Sequence, residues 1–473
     1  MNTVQRILKN SLFLLLSNIV SKILAFFYII YIARYLGAEG FGVFSFALAF
    51  TSIFGVLVDL GLNSLTVREI ARSKSLTGKY LGNISVMKII LSAFTFVLVV
   101  ITINIFGYSQ ETNKVVYLFA LYVIITSFTN MFYAFFQAYE KMEYQSIGQV
   151  LTSFLILSGA LWAISKELNV ISFAFVYFIV SVIILAYNGL VYLYHFGLSK
   201  LEIDWDFWKP TIKYALPFFL SAVVDIIAFK IDIVMLSKLK GDIVVGWYSA
   251  AYRLIEVLFF IPATIAGALY PVLSNAYISS QDSLRLMYKQ SFKYLIIIGL
   301  PIAVATTILA PKIILFIYKS EFLNSVIVLQ IIIWTIPIIF LTYIFGTILA
   351  SMDQQVLVLK INFLGMILNI TINFLLIPKF SYIGASVATI FTCLIVFVLF
   401  FSFLSKNIYK VSLPKYISKP MVASIVMGLF IIFFININIY LLSGLSIIVY
   451  FGVLCALKTS LKRDIDLFSN MLK

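Results

Sequence analysis

Residues 17–72 read SNIVSKILAFFYIIYIARYLGAEGFGVFSFALAFTSIFGVLVDLGLNSLTVREIAR, and this stretch decides the fold. An apolar run from Leu12 to Ala33 is followed by a short polar break around Arg34 to Gly40, then by a second run from 41 to 62. Crossing a bilayer takes about 20 predominantly apolar residues at 1.5 Å rise each. Each run meets that length, and the break between them suits a turn at a membrane surface. The first run exceeds a signal-peptide core of roughly 7–15 residues, and no small-residue cleavage site ends it. It is expected to be retained as the first span.

The same pattern continues along the chain. Candidate spans lie near 12–33, 41–62, 84–106, 115–138, 147–164, 170–194, 212–236, 246–273, 294–310, 326–349, 356–377, 383–404, 417–436 and 438–457. The predicted fold is an all-α polytopic membrane protein of about fourteen transmembrane helices. The last two spans form a tight pair around Asn436 and Asn438, so twelve or thirteen stay open. Composition agrees: 63% of the 473 residues are hydrophobic and 11% charged, with mean hydropathy +1.08. Soluble domains carry about 25% charged residues.

The net charge of +15 would suggest nucleic acid in a soluble protein. Here the basic residues lie between apolar runs, and the positive-inside rule accounts for them. With the N-terminus inside, the inner segments hold 20 basic residues and the outer segments 8. Both termini are therefore expected in the cytoplasm. No connection is long enough for a soluble catalytic domain. Cys393 and Cys455 sit inside apolar runs, too few and too isolated for a disulfide framework or a zinc site, and are expected to be buried apolar residues. There is no phosphate loop, no zinc-protease helix and a single histidine, His195, at a predicted span end. No cofactor is implied.

An internal repeat appears at a shift of 204 residues. Gly37 meets Gly241, Gly42 meets Gly246, Ser45 meets Ser249, and Arg34 meets Lys238 with its charge kept. Six spans separate the copies, so both point the same way. That predicts two six-helix lobes related by a pseudo-two-fold along the membrane normal, 1–200 and 201–410, with two additional spans and a tail in 411–473. All ten prolines follow residue 209. Pro217, Pro262, Pro301 and Pro337 fall within predicted spans, where proline kinks helices.

Ionisable groups at mid-bilayer cost about 2.5–3.5 kcal/mol on insertion scales and mark pathways, partners or cavities. Asp59, Lys88 and Lys360 lie near predicted span ends and are expected to reach the headgroups. Lys22, Asp225, Lys230, Asp232, Arg253 and Glu256 lie deeper. Asp225 and Asp232, seven apart, share a helix face. Arg253 and Glu256, three apart, can pair locally. The basic members, Lys22, Lys230 and Arg253, suit an anionic headgroup. The acidic members, Asp225, Asp232 and Glu256, suit a cation or a charge relay. The segment 63–83 carries four basic residues between apolar ones and suits either a short interfacial amphipathic helix or a plain basic loop.

The run Arg34-Tyr35-Leu36-Gly37-Ala38-Glu39-Gly40-Phe41-Gly42, the Asp59-Leu60-Gly61-Leu62 tail and Arg68-Glu69-Ile70-Ala71-Arg72 resemble the N-terminal signature of the polysaccharide biosynthesis flippase family, within the multidrug/oligosaccharidyl-lipid/polysaccharide exporter superfamily. The resemblance implies a transporter rather than an enzyme. Its expected substrate is an isoprenoid-diphosphate-linked oligosaccharide, moved from inner to outer leaflet by alternating access and coupled to a proton or sodium gradient. Related lipid II flippases line a cavity with basic residues, and Lys22 and Arg253 hold comparable places here. The first lobe departs from that pattern in having few arginines. Three rival readings remain: a cation-coupled multidrug exporter of the same superfamily, a membrane glycan polymerase or ligase, and a membrane scaffold without transport.

Overall fold

A computed structural model describes residues 3–197 and 202–457. Lys200 and the C-terminal basic residues Lys458, Lys462, Arg463 and Lys473, counted above for orientation, lie outside them. The described residues form helices joined by short turns. They are α1 (Thr3–Asp59), α2 (Leu62–Arg72), α3 (Thr77–Phe106), α4 (Gln110–Ala138), α5 (Met142–Ser165), α6 (Val170–Phe196), α7 (Trp208–Lys240), α8 (Asp242–Glu256), α9 (Phe260–Ser279), α10 (Gln281–Tyr318), α11 (Ser325–Ile332), α12 (Thr335–Ser351), α13 (Gln355–Asn407), α14 (Leu413–Phe433) and α15 (Ile439–Ala456). Among the described residues, ten helical segments are long and apolar enough to cross a membrane, and α11 with α12, bent by 42°, supplies an eleventh. This is a multi-pass membrane protein.

The surface has the polarity of a lipid-embedded chain. Ile105, Tyr194, Ile278 and Phe433 are among many large apolar residues left exposed, whereas Asn83, Asn188, Asn373 and Ser386 are fully buried. Soluble monomers rarely expose contiguous apolar patches beyond a few hundred Å².

Packing divides the chain into two compact units, 1–246 and 247–473. In the first, α1 packs on α4, α5 and α7, and α4 packs on α6. Edge-on rings fix its centre: Phe44 lies 5.2 Å from Phe119 and 5.6 Å from Tyr177, which lie 5.4 Å from each other. In the second unit, α12 packs on α9, α10 and α13, and α14 packs on α10 and α15. The Tyr450 hydroxyl donates to the Ile297 carbonyl at 2.7 Å, tying α15 to α10. Lys312 donates to the carbonyls of Ile435 and Ile437, closing the turn between α14 and α15.

Long helices break both at residues of positive φ and next to prolines. α1 breaks at Gly37 (φ 68°, ψ −175°) and α13 at Ser381 (φ 54°, ψ −135°). Pro262 and Pro337 sit in the first turns of α9 and α12, where their missing N–H groups leave the carbonyls of Leu258 and Ile333 without the i→i−4 bond, at the interruptions between α8 and α9 and between α11 and α12, the latter bent by 42°. Pro217 and Pro301 lie in the interiors of α7 and α10, which run through them as continuous helices. The repeat-related Gly241 adopts φ 86°, ψ 176°, the same region as Gly37. That region is essentially confined to glycine, which explains the coincidence of the two glycines in the sequence.

The second glycine pair makes a reciprocal contact. A Cβ on Gly42 would lie 1.8 Å from the Asp242 carbonyl oxygen, and one on Gly246 would lie 1.9 Å from the Ala38 carbonyl oxygen. The N-terminal ends of the second arm of α1 and of α8 therefore touch backbone to backbone.

The segment 63–83 contains a true amphipathic helix. α2 buries Leu62, Leu65, Thr66 and Ile70 against α4 and α7, leaving Arg72 exposed. Chain reversal from α1 into α2 uses two left-handed residues, Leu60 (φ 45°) and Gly61 (φ 76°). The connection into α7 is fastened to α3 by Asn83, which is fully buried. Its amide accepts from the Asp204 N–H and Trp208 Nε1, both at 2.9 Å, and donates to the Glu202 and Lys79 carbonyls, both at 2.8 Å. All four hydrogen-bonding positions of the side chain are thereby used. Lys79 adds an ion pair to Asp204 at 2.6 Å, which holds the Asp204 carboxyl below its ordinary range. His195, at the end of α6, is exposed and stacks on Tyr144. No disulfide joins Cys393 and Cys455, and Cys393 is partly buried. Cys455 is exposed on its helix rather than buried, as a lipid-facing apolar residue can be.

Candidate functional site

Lys88 is a buried charge of the first unit. It was expected to snorkel from a span end, and the structure places it otherwise: the side chain is 0% exposed. The reason is that α3 starts at Thr77, well before the apolar run, because its first turns pack on the connection to α7. Lys88 therefore lies three turns inside the helix. Its Nζ donates to Asp59 Oδ1 at 2.8 Å, to Ser127 Oγ at 2.6 Å and to the Ser127 carbonyl at 3.3 Å. Asp59 is the last residue of α1. A carboxylate there opposes the helix dipole, and Lys88 offsets that cost. This cluster joins α1, α3 and α4.

The charges of α7 lie on one continuous helix. Asp232 is 3% exposed and Lys230 half-buried. Asp225, on the same face as Asp232, is exposed and makes no hydrogen bond or ion pair to another described residue. Lys22 is exposed on the first arm of α1. Arg253 and Glu256 lie in the second unit and pair within α8, Nη1 to Oε2 at 2.8 Å, each about a quarter exposed. Their expected local pairing is what the helix spacing makes.

A polar cavity that the charge-based reading missed opens in the first unit, with a volume of about 450 Å³. α2 lines it with Asn63, Ser64 and Val67, α4 with Asn130, Tyr133, Ala134 and Gln137, and α5 with Gln145 and Gln149. The spacing puts these residues on single helix faces: 130, 133 and 137 on α4, 145 and 149 on α5. Gln137 Nε2 donates to Gln145 Oε1 at 2.9 Å, and Ser17 Oγ donates to Gln149 Oε1 at 3.3 Å. Gly148 makes room for the Tyr133 hydroxyl, which a Cβ there would meet at 2.6 Å. The lining carries no charged side chain. Amides recurring at helical spacing in apolar spans were the available signal.

The family model described as polysaccharide biosynthesis protein matches residues 7–277. The chain belongs to the polysaccharide biosynthesis protein family. A second model, MatE, matches residues 217–375. The "probable low-salt glycan biosynthesis flippase Agl15" of Haloferax volcanii is 23% identical over 390 residues, 80% of each chain. The capsular polysaccharide biosynthesis protein CapF of Staphylococcus aureus is 21% identical over 387 residues, 80% of this chain and 94% of CapF. Among solved structures, the lipid II flippase MurJ in an inward closed conformation superposes with TM-score 0.76 at 15% identity, covering 96% of this chain and 99% of MurJ. An inward-facing multidrug resistance transporter of the MATE family reaches 0.67 at 15% identity, covering 82% of this chain and 95% of that one. The fold of this polysaccharide biosynthesis family member is thus shared with a lipid flippase and with drug exporters.

Proposed function

We propose that this protein is a flippase that carries an isoprenoid-diphosphate-linked oligosaccharide from the inner to the outer leaflet by alternating access, without chemical conversion. The observation that carries the reading is the family match over residues 7–277 on a fold of membrane-crossing helices. Relatives named for glycan flipping and capsule biosynthesis support it.

In this reading fourteen segments cross the membrane. The breaks at Gly37 and Ser381 divide α1 and α13 into two spans each, and the charged α7 is a span as well. The repeat then organises them as 1–200, 201–410 and 411–473, with both termini in the cytoplasm. Matching conformations at Gly37 and Gly241, and the reciprocal contact of Gly42 with Gly246, support the repeat. Lys22, Lys230 and Arg253 receive the anionic diphosphate, and Asp225, Asp232 and Glu256 serve a proton or sodium ion. An exposed carboxylate in mid-helix, such as Asp225, suits a water-filled passage.

A second reading, a cation-coupled exporter of small molecules, is favoured by the MatE match over 217–375. Proteoliposomes separate the two. Leaflet transfer of a polyprenyl-diphosphate-linked oligosaccharide by the wild type, enhanced by an ion gradient and abolished in Arg253→Ala, supports the flippase. Export of a cationic dye without lipid transfer supports the exporter.

A further inference from the structure

We infer that the uncharged cavity between α2, α4 and α5 holds the sugar of the transported lipid, by hydrogen bonds from amide side chains to glycan hydroxyls. This rests on the flippase reading and assigns the neutral part of the substrate to a place in the first unit.

The chemistry of the lining selects the ligand. An amide presents two N–H donors and a carbonyl with two lone pairs, which matches the paired donor and acceptor character of neighbouring sugar hydroxyls. Asn130, Gln137, Gln145 and Gln149 supply four such groups, and Tyr133 adds a ring with a polar tip. A phosphate would call for arginine or lysine, and no charged side chain lines the cavity. A lipid tail would strip water from the amides without replacing their hydrogen bonds. The volume of about 450 Å³ falls within the range of small-molecule sites.

The geometry leaves the amides available. The Gln137–Gln145 bond uses one N–H of the first and the carbonyl of the second, leaving a carbonyl and three N–H groups on the pair. Asn130 is exposed and bonded to no other described residue. The cavity also lies beside the α4–α5 turn. Asn10, in the first arm of α1, donates to the Glu140 carbonyl of that turn at 2.9 Å. With the N-terminus in the cytoplasm, this is the end at which substrate loads.

Two measurements test the assignment. The first is leaflet transfer in proteoliposomes of a polyprenyl-diphosphate-linked N-acetylhexosamine panel against polyprenyl diphosphate without sugar, for wild type, Asn130→Leu and Gln137→Met. The sugar-bearing lipids are expected to lose about tenfold in transfer efficiency in the variants, the worth of about one hydrogen bond, with the sugarless lipid unchanged. Equal loss for both lipids, or no loss, overturns the assignment. The second is saturation-transfer NMR of free methyl glycosides and inorganic pyrophosphate on the detergent-solubilised protein. A glycoside signal that the wild type gives and Asn130→Leu abolishes supports the site even if no lipid is transferred, an outcome that would sink the flippase reading alone. A pyrophosphate signal sensitive to Asn130→Leu, or no glycoside signal with the wild type, overturns it.

Discussion

Alanine at Gly42 or at Gly246 should damage the first unit more than alanine at other helical glycines. A Cβ on Gly42 would stand 1.8 Å from the carbonyl oxygen of Asp242, where ordinary contact begins at 3.4 Å, so the two helices must part by about 1.6 Å. The obstacle is backbone on both sides, because a Cβ on Gly246 would likewise meet the Ala38 carbonyl at 1.9 Å. No rotamer change relieves it. Overpacking of this kind costs about 1–3 kcal/mol, and rigid neighbours place these sites toward the upper end. Parting the two backbones for one alanine also makes room for the other. The double variant should therefore fall short of the sum, with a coupling of roughly 0.5–3 kcal/mol. Gly267 and Gly444 are the controls, since a Cβ on either meets nothing within 4 Å. The assay is thermal unfolding of detergent-solubilised protein followed by size-exclusion fluorescence. Gly42→Ala and Gly246→Ala should each lower the midpoint by a few degrees, with the controls unchanged. Midpoints equal to the controls, or strictly additive losses, would refute the reciprocal contact.

Two further predictions concern charge. In the Lys88 cluster, Asp59→Ala should cost more stability than Lys88→Met. The first leaves a 0%-exposed ammonium without its counter-ion, for which about 3–5 kcal/mol is typical, whereas the second leaves a partly exposed carboxylate that water can reach; melting midpoints in the opposite order would contradict the burial of Lys88. At the connection into α7, Lys79 depresses the Asp204 carboxyl below its ordinary value. Its contribution is then complete above the unfolded pKa near 3.9 and lost as pH falls through the lower folded value, so amide exchange in 202–208, corrected for intrinsic rate, should stay flat from pH 7 to 5 and rise only below the usual carboxylate range. In Asp204→Asn that step should vanish; a step centred near pH 6 would point to another group.

Spans were legible because a lipid solvent imposes one rule on long stretches: backbone bonded within the helix, apolar side chains outside. That rule is local in sequence, so the runs at 12–33 and 41–62 and the turn between them could be read directly. The proposed repeat rests on a different kind of signal. Gly37, Gly241, Gly42 and Gly246 each answer to a backbone demand that other residues meet only under strain, a positive φ in the first two and a carbonyl in near contact in the second two. Such demands leave the same letter at the same place in both copies. Where α3 begins was not legible, because the polar turn at 77–83 is stabilised by the distant 202–208 connection through Asn83. Misplacing that helix start moved Lys88 to a span end and hid its partnership with Asp59 and Ser127.

The amides of the cavity escaped notice for a related reason. In a membrane interior a charge is conspicuous in sequence, but conspicuous charges are often already occupied: Lys88 by Asp59, Arg253 by Glu256. Uncharged amides are cheaper to place in a span and stand out less one at a time. Their periodicity identifies them, since 130, 133, 137 and 145, 149 fall on helix faces that share one space. A carrier of a lipid-linked glycan needs both kinds of group, because its substrate joins an anion to a neutral polyol. Charge inventory alone finds the groups suited to the first, and amide spacing finds those suited to the second. Under the proposed function, a substitution such as Asn130→Leu bears on which sugar is carried, whereas Arg253→Ala bears on whether any diphosphate lipid is carried at all.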